Sequence, residues 1–249
     1  MPEFDLWLLL VAIPVMAFAG WIHGALGLGF PLIATPVIAV FIDVKAAILL
    51  TLLPTATVNA ASVLTAQNAV ATVKKYRLLM LSCFLGTVIG SVLLAYTDAS
   101  PYRLLLAFLI VVFLLTDHFN FRLKIQPVVS VMLLFGCLAG FASGTTNVMV
   151  AVLIIYFYSL NVARGEMVPA MNLCFLVGKT SQIVVFLTLG VVSFKWLVYT
   201  IPLALVSFAS LKVGQVYGER IAAERYRGIL KVILLLLAAI LIVQFFLAD

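Results

Sequence analysis

Charge in this chain is confined almost wholly to short gaps between long apolar runs, and that arrangement leaves few folds open. The runs are ten: Leu6–His23, Pro31–Phe41, Ala46–Ala66, Leu78–Tyr96, Tyr102–Thr116, Val128–Ala142, Asn147–Ser159, Met167–Leu189, Phe194–Val213 and Gly228–Leu247. With 65% of its 249 residues hydrophobic and 10% charged, the chain has too little polar surface to cover a soluble domain. The runs are too long for transmembrane strands and do not alternate, so the reading is an all-α polytopic membrane protein. Met1–Gly24 does not have the form of a signal peptide, because Glu3 and Asp5 make its start acidic and its apolar run continues past any cleavage point.

Two runs, Pro31–Phe41 and Asn147–Ser159, are too short to span, since a crossing takes about 20 helical residues. Each follows a glycine-rich stretch, Gly24-Ala-Leu-Gly27-Leu-Gly29-Phe-Pro31 in one case and Gly140-Phe-Ala-Ser-Gly144-Thr-Thr-Asn147 in the other. Each is expected to form a broken, re-entrant helical hairpin. A shift of 116 residues lays Gly20 on Gly136 and Gly24 on Gly140, and Pro54 with Pro169 and Gln67 with Gln182 recur at almost the same spacing. A slightly larger shift lays Gly90 on Gly214 and Tyr102-Arg103 on Tyr226-Arg227. The chain therefore reads as two repeats of about five helical pieces, residues 1–124 and 125–249, within one membrane domain.

The net charge of +6 comes from 15 basic and 9 acidic residues. Lys74, Lys75 and Arg77 form one basic loop, Arg122 and Lys124 another, and Arg164, Arg220, Arg225 and Arg227 mark two more. The positive-inside rule puts these loops in the cytoplasm and Glu3 and Asp5 outside, with Lys195 alone dissenting. Each repeat then makes three full crossings, an odd number, so the repeats are inverted. Inverted repeats are the layout of many secondary transporters, whose substrates bind at mid-depth between them. No nucleic-acid-reading module is present, and no cofactor is expected.

Candidate chemistry begins at the breaks. Gly24, Gly27, Gly29, Gly140 and Gly144 let the backbone turn and a ligand approach closely, or else pack helices tightly. Pro31 suits a first helical turn, and Thr145, Thr146 or Asn147 is placed to cap the second short helix and to present donors. A helix that starts at mid-depth offers free N–H groups to an oxyanion. Lys179 lies near the centre of Met167–Leu189, where a charge costs at least ~3 kcal/mol and marks a functional site by default. Its counter-charge is then a substrate, or Asp43, Asp98, Asp117 or Glu166 reaching in from a loop. The alternative is a lysine that snorkels to an interface. His23 beside the first break either relays a proton, binds the anion or is a packed histidine. Asn59 with Thr55, and Asn172 in the second half, flank prolines, where they line a cavity or satisfy carbonyls that the prolines free. His118 reads as part of a solvated turn. Cys83, Cys137 and Cys174 are isolated and read as buried structural thiols. There is no metal cluster, P-loop or hydrolase motif, so no enzyme is expected.

The glycine-rich first break, its weaker copy at mid-chain, the basic loop Lys74–Arg77 and the Gly86-x-x-x-Gly90 span resemble the sulfite exporter TauE/SafE family, also called the toluene-sulfonate uptake permease family. The resemblance covers most of the chain. The family's commoner first break is of the G-x-G-G-G kind, where this chain has Gly27-Leu28-Gly29-Phe30. It implies a multi-pass protein of the bacterial inner membrane that moves sulfite, a sulfonate or a related sulfur-containing anion. The residues themselves point to a small anionic substrate at mid-membrane, with protons as a candidate coupling ion and an oligomer left open. The rivals are a passive anion channel and a non-transporting scaffold or biogenesis factor.

Overall fold

The computed structural model describes residues 6–66, 69–217 and 223–247. Glu3, Asp5, Gln67 and Arg220, and the side chains of Arg225, Tyr226 and Arg227, lie outside the described residues. The described helices are α1 (Leu6–Leu26), α2 (Phe30–Ala39), α3 (Val44–Thr65), α4 (Ala69–Tyr96), α5 (Ser100–Phe119), α6 (Val129–Thr146), α7 (Val150–Ser159), α8 (Arg164–Thr188), α9 (Phe194–Tyr199), α10 (Ile201–Tyr217) and α11 (Ala223–Leu247). No strand occurs among the described residues. Seven helices are long and apolar enough to cross a membrane: α1, α3, α4, α5, α6, α8 and α11. This is the make-up of a multi-pass membrane protein, as the apolar runs require.

The expected piece Phe194–Val213 is two helices, α9 and α10, parted at Thr200. Pro202 has no N–H to give the carbonyl of Val198, so the ladder is interrupted there. The hairpins are lopsided. Helix α1 has 21 residues and α2 only 10, and α6 has 18 against 10 in α7.

The two halves repeat one another's boundaries. Helix α1 ends at Leu26 and α6 at Thr146, α2 runs Phe30–Ala39 and α7 Val150–Ser159, and α3 starts at Val44 where α8 starts at Arg164; each shift is 120 residues. They also repeat one another's contacts, and do so by exchange. Helix α1 packs on α10 of the other half and α6 on α4; α3 lies against α8, and α5 against α11.

Small residues make these crossings close. A Cβ on Gly144 would lie 2.6 Å from Thr87 O and 2.7 Å from Ser91 N. One on Gly24 would meet Leu211 O and Gln215 N, residues that stand 124 places after Thr87 and Ser91. Helices in lipid gain little from burying apolar surface, so contact of backbone with backbone is what binds them.

These contacts correct the register expected from sequence. Gly20 corresponds to Gly140 and Gly24 to Gly144, not to Gly136 and Gly140. Glycine recurs every four residues along α6, so a slip of about one helical turn still lays glycine on glycine.

Candidate functional site

The first break is Gly27-Leu28-Gly29, where both glycines have positive φ, +79° and +113°. The second is Asn147-Val148-Met149, with Asn147 at φ 66°. Asparagine enters this left-handed region more readily than other side-chain-bearing residues. It closes α6 as Gly27 closes α1: Gly27 N–H donates to His23 O at 2.6 Å and Asn147 N–H to Ser143 O at 2.9 Å. Gly24, Gly140 and Gly144 are not in the breaks. They lie inside α1 and α6, where their missing side chains admit the neighbouring helix. The expectation that they shape the turns is corrected on this point.

The donors expected at the second break are also placed differently. Thr145 and Thr146 hydroxyls donate back to Phe141 O (2.8 Å) and Ala142 O (2.7 Å) of their own helix. No side chain caps α7, whose N-cap is Met149. Asn147 instead reaches across, its amide donating to Thr35 Oγ1 at 2.7 Å and to Thr51 Oγ1 at 3.1 Å.

At the first break, Gly29 is the N-cap of α2, Pro31 stands in its first turn, and His23 of α1 accepts from its first amide. Phe30 N–H donates to His23 Nδ1 at 3.3 Å, and His23 Nε2 lies 3.1 Å from Ser62 Oγ. The first contact makes Nδ1 the acceptor, so the second nitrogen carries the proton and donates to Ser62. Asn172 reaches the same break from α8, its amide donating to Gly27 O at 2.9 Å and to Val168 O at 3.0 Å.

Two central helices thus touch both breaks. On α3, Thr51 meets Asn147 at one end and Ser62 meets His23 at the other. Eleven residues separate them, roughly 16 Å of helix. Between them on the same face lie Thr55 and Asn59. Both are fully buried, and Thr55 Oγ1 and Asn59 Oδ1 have no hydrogen-bond partner among the described residues. The Asn59 amide donates to Thr55 O at 2.7 Å, one turn below. On α8, Asn172 faces the first break, and Gln182 donates to Gly144 O at 2.9 Å in the last turn of α6 before the second break.

Lys179 sits on α8 between those two residues and is completely buried. Its ammonium donates to Gln182 Oε1. The four carboxylates expected as partners are engaged elsewhere. Asp43 caps α3 through Ala46 N, Asp98 accepts from Ser100 N, Glu166 pairs with Lys75 and accepts from Tyr76, and Asp117 pairs with Lys231. Among the described residues, no carboxylate neutralises Lys179.

Two hollows approach this buried centre from opposite ends of α3 and α8. One, of about 170 Å³, is lined by His23, Gly27, Ser62, Thr65, Asn172 and Gln215, at the end of α3 and the start of α8. The other, of about 620 Å³, is lined by Lys45, Leu49, Ala95, Leu189 and Gly190, at the start of α3 and the end of α8. Thr51, Thr55, Asn59, Lys179 and Gln182 lie between these ends and are closed off from both, each with 0% exposure.

Of the residues expected from sequence, His23, Gly24, Gly27 and Asn172 meet at the first hollow, while Lys179 and Asn59 belong to the closed centre. Asn147 joins α6 to α2 and α3, and Gly29 turns the chain into α2. Sequence reasoning missed Ser62 and Thr51 as contacts, together with the unpartnered buried hydroxyls of Thr87 and Ser91 on α4 and Ser143 on α6. Polar residues at helical spacing along α3 were the available signal. Cys83 and Cys174 are buried free thiols and Cys137 is a half-buried one. His118 is exposed beside Phe119.

Among comparisons with known proteins, the family described as "Sulfite exporter TauE/SafE" matches residues 12–241. No curated protein and no solved structure matches the chain.

Proposed function

Because the chain belongs to the sulfite exporter TauE/SafE family, a family of membrane transporters for sulfite and related sulfur anions, we propose that it carries a small sulfur-containing oxyanion, sulfite or an organosulfonate, across the bacterial inner membrane. The observation that carries this reading is Lys179: a buried lysine at mid-helix whose counter-charge the described residues do not supply. A charge in such a place is paired or functional, and an anionic substrate is the missing partner. Gln182 accepts from Lys179, and on α3, which packs against α8, the buried Asn59 and Thr55 side chains provide further neutral polar groups.

Residues 1–124 and 125–249 act as inverted repeats that alternate access. The recurrence of contacts between α1 and α10 and between α4 and α6 supports exchange between equivalent halves. The positive-inside tally supports the inversion, with the His23 hollow facing the cytoplasm and the Lys45 hollow facing outward. The closed centre between the hollows favours a carrier over a passive channel. His23, which binds both α2 and α3, is the candidate proton carrier for coupling.

Purified protein in detergent, titrated with sulfite, sulfate, thiosulfate, a small sulfonate and chloride, tests the reading. A ligand that binds the folded state raises the melting temperature by mass action. Stabilisation by sulfite or the sulfonate, lost in Lys179→Ala, is expected. Equal response to all anions, or none, would set the reading aside.

A further inference from the structure

Many of the helical hydroxyls among the described residues satisfy themselves. Thr51, Ser62, Ser82, Thr145, Thr146 and Ser207 each donate to the carbonyl four residues back. That habit is what a lipid-embedded helix calls for, since no water is at hand to take up a free hydroxyl. Thr87 on α4 and Ser143 on α6 break it. Both are fully buried, and neither Thr87 Oγ1 nor Ser143 Oγ has a partner among the described residues.

The two hydroxyls converge on one point. That point lies over Gly178 of α8, the residue before Lys179. A Cβ placed on Gly178 would stand 3.2 Å from Thr87 Oγ1, 3.4 Å from Ser143 Oγ and 3.1 Å from the terminal methyl of Met149. Three helices and the second break therefore meet around one point over Gly178, so closely that even a methyl on residue 178 would crowd them. The charge and the amide of the candidate site border it along the chain. Lys179 follows Gly178, and Gln182, which accepts from Lys179, donates to Gly144, the neighbour of Ser143. Ser91, one turn beyond Thr87, is a further buried hydroxyl without a partner.

We infer that Thr87 and Ser143, over Gly178, form the subsite that receives the oxygens of the transported oxyanion. This rests on the reading of Lys179 as its counter-charge. Once α4, α6 and α8 part to admit the anion, each hydroxyl donates to one of its oxygens, Lys179 supplies the positive charge, and the Met149 methyl flanks the point from the side of the second break. Hydroxyls suit this task because they add donors without adding charge, leaving the anion held but releasable.

The test compares anion affinity, by thermal-shift titration with sulfite and with a small sulfonate, in wild type, Thr87→Val, Thr87→Ser, Ser143→Ala and Gly178→Ala. Thr87→Val and Ser143→Ala are each expected to weaken binding roughly tenfold, the size of one hydrogen bond to a charged group. Thr87→Ser, which keeps the hydroxyl, should stay within about threefold. Gly178→Ala should weaken the bulkier sulfonate more than sulfite. Without anion, Thr87→Val should melt no lower than wild type, because it removes a buried hydroxyl that had nothing to bond. Thr87→Val and Ser143→Ala binding as wild type does would overturn the subsite and leave the role of Lys179 standing. Thr87→Ser falling as far as Thr87→Val would overturn it too, by showing that packing and not the hydroxyl matters. Wild type binding none of the sulfur anions would bring down the parent reading and the subsite together.

Discussion

Phe30 N–H, the first amide of α2, donates to Nδ1 of His23, 3.3 Å away in the preceding helix. The free amide that a mid-membrane helix start offers an anion is therefore already occupied at this break, and by a side chain able to let go. A proton arriving on Nδ1 would abolish the acceptor and release that amide.

His23→Asn and His23→Leu separate the two roles of the ring. Asparagine can still accept from Phe30 N–H, so stability should be nearly kept. Leucine strands the amide and should cost about 1–3 kcal/mol. If His23 carries the coupling proton, both variants lose the dependence of anion flux on a pH gradient in proteoliposomes. Undiminished gradient-driven flux in His23→Asn would exclude a proton relay through this residue.

Lys179→Ala should reduce anion affinity roughly ten- to a hundredfold, the value of a charge-assisted contact. Lys179→Arg keeps the charge but not the geometry and should retain partial function. Equilibrium titration of the three proteins decides it; unchanged affinity in the alanine variant would mean that the lysine serves packing alone.

Gly24→Ala and Gly144→Ala should behave alike. Each places a methyl against the backbone of the opposing helix, Leu211 and Gln215 in one case and Thr87 and Ser91 in the other. Overpacking of this kind costs about 1–3 kcal/mol. Thermal melts should show the loss, and flux per folded molecule should change little beside it. A normal melt with abolished flux at Gly144 would restore that glycine to the ligand's path.

Lys75 and Glu166 should lie on the cytoplasmic side, since they form one ion pair between α4 and α8. Both termini should be external. Cysteines introduced singly at 75 and 166 should react with an impermeant maleimide in inside-out vesicles and resist it in intact cells. Reaction at 75 from outside would refute the inverted arrangement.

Nine of the ten apolar runs became single helices, because length and hydropathy alone decide what can cross lipid. The tenth divided at Thr200, a boundary that Pro202 could have announced. Burial of Lys179 was legible for the same reason: an apolar stretch long enough to span puts its midpoint far from water. The first break was legible at Gly27 and Gly29, but the glycines of the second, Gly140 and Gly144, lie about one helical turn or more before the turn itself at Asn147. Glycine marks both a turn and a close crossing, and only the positive φ of Gly27, Gly29 and Asn147 tells them apart. The orphan hydroxyls of Thr87 and Ser143 could not be foreseen. Whether a threonine bonds its own helix or faces a shared space depends on neighbours brought from distant parts of the chain. The same holds for Gln182, whose partner Gly144 lies on another helix.

The exchange of helices between the halves has a consequence for biosynthesis. Helix α4 ends at Tyr96 and its partner α6 begins at Val129, so that pair can close soon after both emerge from the ribosome. Helix α1 ends at Leu26, but α10 begins at Ile201, 175 residues later. At roughly 5–20 residues per second, the glycine face of α1 waits on the order of 10–35 seconds for its mate. Throughout that interval it must be shielded by lipid or by the insertion machinery. A ribosome stalled anywhere before α10 leaves a chain whose first helix is unmatched, ready to pair with the α10 of another copy.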